Sequence, residues 1–166
     1  MACCENLGHV LTACAGDRGT AKDVVKAYVA CTEDITTIPA ATDHVISSDI
    51  EFEALAHWWQ LDIDKVGSSF SFASEGEGQS KQYLNTAIIF IAGVAADVTN
   101  AINSLIRGQA TFLIQDKNGN KHLIGALDDG ADVAIVAAND RNGYTLTITW
   151  ASTNMPYFYT GAVTIA

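Results

Sequence analysis

The sequence predicts a mainly β domain of the α+β class, a β-sandwich or barrel with one flanking α-helix. Three observations carry this. Strand-like runs recur roughly every 8–12 residues with turn signals between them. One segment alone has a helical period. No alternation of strands and helices marks βαβ units. The 166 residues suit a single domain over 1–166. With 49% hydrophobic residues the chain can bury a core, which excludes a disordered composition.

Residues 1–22 are small and polar, with Gly8, Gly16 and Gly19, and read as an irregular amino-terminal arm. Lys26–Cys31 reads as the first strand, with Ala27, Val29 and Cys31 on one face by the period of two. Thr36–Asp43, containing Pro39, is a loop, and His44–Phe52 is strand-like. In 56–64, Trp59, Leu61 and Ile63 alternate with Gln60, Asp62 and Asp64, so a strand is expected. Gly67–Ser74 gives another, with Phe70 and Phe72 sharing a face. Residues 74–81, Ser-Glu-Gly-Glu-Gly-Gln-Ser-Lys, hold no apolar side chain and form a flexible acidic loop.

Gln82–Ala92 predicts a long strand. After it Val98, Ala101, Ile102, Leu105 and Ile106 recur at helical spacing, with Arg107 suited to the negative helix end and Gly108 to the residue beyond it. Thr111–Asp116 and Lys121–Leu127 flank Asp116-Lys-Asn-Gly-Asn120, whose Asn118-Gly119 tolerates the positive φ of a tight hairpin. Asp128–Gly130 is a second turn, Asp132–Ala138 a strand, and Asp140–Gly143 a third turn. Tyr144–Trp150 alternates strictly, with threonines on one side. Pro156–Tyr159 and Ala162–Ile165 close the chain.

The formal net charge of −10 argues against a nucleic-acid-binding module, because an acidic surface repels phosphates. Charged residues make up only 17%, which leaves surface free for protein contacts and favours assembly. Cys3, Cys4, Cys14 and Cys31 lack the spacing of a zinc site, and reduced thiols in a cytosolic product are expected. Residues 1–15 show no signal peptide, and the apolar stretch Ala87–Ala96, broken by Gly93, is too short to span a bilayer, so no membrane role is expected.

No catalytic, cofactor or metal site is expected. Asp116, Asn118 and Asn120 begin like a calcium loop, but Lys121 stands where Gly is required and Leu127 where Glu is required. His9, His44, His57 and His122 form no metal or catalytic spacing, and no nucleophile elbow or phosphate-binding loop is present. Adjacent Trp58 and Trp59 in a strand point to opposite faces, one to the core and one to an interface or a sugar-stacking platform. Interface candidates are Trp58, Trp59, Glu75, Glu77, Lys81, Asn118, Tyr157 and Tyr159. The alternative function is a carbohydrate- or peptide-binding module using Trp58 or Trp59; a small β-barrel hydrolase ranks last.

The run Asp116-Lys-Asn-Gly-Asn-Lys-His-Leu-Ile-Gly125, then Asn142-Gly-Tyr-Thr-Leu-Thr-Ile148 and an aromatic tail, resembles tail-tube or neck-ring subunits of tailed phages infecting Bacteroidetes. The acidic loop before Tyr83…Phe90, the helix before the Asn-Gly hairpin, and Cys14–Gly19 leading into Lys26-Ala-Tyr28 are similar too. The resemblance implies a tail-tube-like sandwich that closes into rings, commonly homohexamers, and stacks. Its partners would be itself and other tail or neck proteins of the virion, after synthesis in the host cytoplasm. Genomic DNA would pass through the channel unbound, with the acidic charge lining the lumen.

Overall fold

A computed structural model describes residues 24–138 and 142–165. The arm at 1–22, and residues 140 and 141 of the third expected turn, lie outside them. The order is β1 (Val24–Cys31), β2 (Ile35–Thr37), β3 (Val45–Ile46), β4 (Glu51–Phe52), β5 (Trp59–Leu61), β6 (Asp64–Glu75), β7 (Gln82–Ala92), α1 (Ala96–Arg107), β8 (Ala110–Asp116), β9 (Lys121–Ile124), β10 (Asp132–Ala138), β11 (Gly143–Ser152) and β12 (Phe158–Tyr159). The mainly β class with one helix is what the patterning predicted.

One sheet has the order β3-β12-β9-β8-β1-β5, a second β10-β11-β7-β6, and β2 pairs with β4. The second sheet is antiparallel throughout. The main core lies between the two larger sheets. Ala27 and Val29 of β1 and Phe112 and Ile114 of β8 meet Ala87, Ile89 and Ile91 of β7 and Leu146 and Ile148 of β11. These are alternate residues on each strand, as one buried face requires. The helix adds Ala101, Ile102 and Leu105, with Val98 and Ile106 at the margin, the face its spacing predicted. Gly108 has φ −102, so the helix ends without a left-handed residue.

The far face of the six-stranded sheet is covered as well. Tyr28 and Ala30 of β1, Leu113 and Leu123 pack with Ile35, Ile46, Ile50, Trp58 and Tyr159. The segment 32–58 and the carboxyl-terminal stretch therefore form a third layer over β1 and β8. Tyr159 anchors it: its hydroxyl donates to the Ala162 carbonyl at 2.8 Å and accepts the Ile50 N–H at 3.2 Å.

Several expected elements differ. The strand over 44–52 is two short pieces, β3 and β4, and the positive φ of Asp43 and His44 turns the chain just before the first. The strand over 56–64 shortens to β5, and Leu55, at φ +74, turns the chain before it. The segment 162–165 contributes one isolated bridge, Trp58 to Ile165. Cys31 is disulfide-bonded, against the expectation of reduced thiols.

Candidate assembly surface

β6 and β10 are the two edges of the four-stranded sheet; among the described residues no strand pairs with the outer side of either. Edge strands in stable monomers are protected by lysines, prolines, short length or covering segments. β10 reads Asp-Val-Ala-Ile-Val-Ala-Ala, with one charge at its start. The last part of β6, Ser69–Glu75, reads Ser-Phe-Ser-Phe-Ala-Ser-Glu, with one charge at its end. Val136 is 64% exposed and Phe72 47% exposed. Apart from one terminal charge each, these two segments are uncharged and β-prone, with Val136 and Phe72 held in solvent, and α1 packs beside β10.

β6 carries a bulge between Asp64 and Ser69. The Ser68 hydroxyl fills the gap, donating to the Asp64 carbonyl at 2.7 Å and accepting the Phe90 N–H at 3.3 Å. Beyond the bulge β6 and β7 run as a regular hairpin, and every residue from Ser71 to Gln82 is exposed. At the opposite corner the Phe90 ring lies where any Cβ on Gly143 would stand, at 2.4 Å.

A cleft of about 430 Å³ opens beside β6, lined by Phe70, Ser71, Phe72, Asp116, Lys117, Asn118 and His122. The Asp116 carboxylate builds the turn beneath it. Oδ1 accepts the N–H groups of Asn118 at 2.8 Å and Asn120 at 2.9 Å, and Oδ2 accepts Asn120 Nδ2 at 3.2 Å. Gly119 supplies the positive φ of +88 that closes the hairpin. His122 Nε2 lies 3.4 Å from Asp116 Oδ2, and its ring stands between those of Phe70 and Phe158, each 4.9 Å away. Burial alone would raise the Asp116 carboxyl. The hydrogen bonds from Asn120, His122 and Asn118 outweigh it and hold the group below its ordinary value.

Charge is divided between the two ends of the six-stranded sheet. Lys26 of β1 and Lys121 of β9 both lie opposite Gln115 of β8, and Lys117 sits in the adjoining turn, next to β6. The other end of β1 runs into Glu33 and Asp34, with Glu51 and Glu53 alongside. Asp128, Asp129 and Asp132 lie at that same end, where Ala131 bridges to Ala110, and lead into β10. Burial, then the charges of Glu53 and Glu33, raise the Asp34 carboxyl against the smaller pull of His57. Near the cleft, Lys26, Lys117 and Lys121 therefore outnumber the one carboxylate of Asp116, while the β10 flank is acidic.

The eight residues expected at interfaces fall into three groups. Trp58 and Tyr159 are 1% and 2% exposed and belong to the second core, so both are corrected to structural residues. Trp59 packs partly on the main core, on the opposite face from Trp58, and Tyr157 is half-buried against the second core. Burial of Trp58 leaves Trp59, which is half-buried, as the tryptophan that a binding module would use. Glu75, Glu77 and Lys81 are exposed near the tip of the β6–β7 hairpin, and Asn118 is exposed at the cleft. The β10 edge and the Phe70–Phe72 cleft had no distinct signal in the sequence beyond strand patterning.

Two outward rows of the four-stranded sheet, Ala134–Thr147–Ile88–Ser69 and Asp132–Thr149–Thr86–Ser71, contain one ionisable residue, Asp132. Among the described residues no group of three or more His, Cys, Asp or Glu is placed to hold a metal ion, and no helix is long and apolar enough to cross a membrane. No family model, no curated protein and no solved structure matches this chain.

Proposed function

We propose that this chain is a structural subunit that assembles with copies of itself through the edges of its four-stranded sheet, as the ring-forming unit of a phage tail tube or neck. The observation that carries the reading is the pair of sheet edges, β6 and β10, whose outer sides pair with no strand among the described residues. An antiparallel sheet of four strands has outer strands running in opposite directions. A second copy in the same orientation therefore sets its β10 antiparallel against β6 and continues the ladder. Such a contact is heterologous, and it closes into a ring when the rotation between copies permits. Closure removes both edges. The acidic β10 flank of one copy would meet the basic cleft side of β6 of the next, which favours head-to-tail over head-to-head pairing.

The place in a virion rests on the resemblance to tail-tube and neck-ring subunits. In that setting the uncharged face of threonine, serine and alanine would form the channel wall. This changes the expectation of an acid-lined lumen. The wall would avoid holding DNA through its lack of cations, while the excess of acid sits at the β10 end of the subunit. Negative-stain electron microscopy of the concentrated protein tests the reading. Rings with a central channel, alone or stacked, are the expected result. Particles no larger than one chain at every concentration would overturn it.

A further inference from the structure

We infer that the cleft beside β6 is the receptor for the turn that precedes β10 in the neighbouring copy, with Lys117 facing Asp128 and Phe72 facing Leu127. The inference rests on the ring-subunit reading and names a contact within it. Trp150, Asn85 and Phe72 form one cross-strand row of the four-stranded sheet. At the β10 end of that row the Trp150 indole N–H donates to Asp129 Oδ2 at 2.9 Å, tying down the turn. At the β6 end, Phe72 lines the cleft. Turn and cleft therefore stand at opposite ends of one row on the same face of the sheet. A second copy that continues the row delivers its turn to the cleft.

The chemistry of the two surfaces matches. The turn is closed by paired backbone bonds between Ala126 and Asp129, which leave Leu127 and Asp128 exposed at its apex. Leu127 is 38% exposed, an apolar side chain held in solvent on a tight turn. Opposite it the cleft offers Phe72, with Lys117 among the residues that line it. Among the described residues neither Lys117 nor Asp128 makes an intramolecular ion pair. Seating the turn would cover Leu127 and Phe72 together and pair the two charges.

Charge reversal tests this directly. Lys117→Glu and Asp128→Lys are each expected to raise the concentration at which the protein assembles by about tenfold, the scale of one lost contact. The double variant restores the pair in reverse and should return to within about threefold of the unaltered protein. Mass photometry across a concentration series reads assembly, and circular dichroism melting checks that each variant folds. If the unaltered protein assembles and neither single change shifts it, the contact is wrong and the ring reading stands. Single losses without recovery in the double variant also overturn the contact. An unaltered protein that never assembles overturns the ring reading itself.

Discussion

Val136→Lys separates the role of the β10 edge in assembly from its role in folding. Val136 lies on the outermost strand and is 64% exposed. Burying a valine fully stabilises by about 1.5–3 kcal/mol, so the covered third contributes at most about 0.5–1 kcal/mol within the subunit. The lysine stem replaces part of that packing. The remaining surface, worth about 1–2 kcal/mol, is available only to a neighbour. Its loss weakens each contact roughly 5- to 30-fold, and a lysine on an edge strand opposes pairing further. Sedimentation velocity over a concentration series measures the shift, and thermal melting measures folding. Val136→Thr, which keeps the branched shape, should fall between the two. A Val136→Lys protein that assembles like the unaltered one, with its fold intact, would refute the assignment of β10 as a contact edge.

Leu146→Ala should destabilise the subunit by about 2–5 kcal/mol, because Leu146 is fully buried between the sheets; chemical denaturation reads it directly. Asp34→Asn should raise the melting temperature at neutral pH, since burial, Glu53 and Glu33 disfavour the Asp34 charge in the folded state. The gain should fade as pH falls through the raised pKa toward the ordinary 3.8, where aspartate protonates in both states; a gain that is constant with pH contradicts the argument. Asp116→Ala should act in the opposite sense. The depressed pKa of Asp116 stabilises the fold above its ordinary 3.8 and ceases to do so as pH falls through the folded value. The loss on substitution should therefore shrink in acid, and a loss that grows there would contradict the carboxylate's role in the turn.

Regular periodicity made some of the fold legible. β7 and β10 lie where alternation placed them, and the buried side of α1 is the face its spacing predicted. The three-layer arrangement was not legible. The second core joins Tyr28, Ile50, Trp58, Leu113 and Tyr159, which are far apart in sequence and share no period. Trp58 and Tyr159 stood among the interface candidates because the layer that buries them consists of short, irregular pieces. Backbone turns at Asp43, His44 and Leu55 bound those pieces, and none of these residues is a glycine that would have signalled positive φ. The site was legible in part. Asn118, an interface candidate in the sequence, lines the cleft, but the cleft also needs Phe70 and Phe72 from another sheet. The low overall charge pointed to assembly, while the division of charge between the β6 and β10 flanks depends on the pairing of β1, β8 and β9.

We propose that copies of this chain join edge to edge into closed rings. The most direct measurement is the mass of the purified protein in solution, by multi-angle light scattering on a size-exclusion column as concentration rises. Closed rings give a discrete species at a fixed multiple of the 17.6 kDa chain mass, six in the ring form the resemblance implies, or stacked multiples of it. A single 17.6 kDa species up to the highest concentration reached would contradict it.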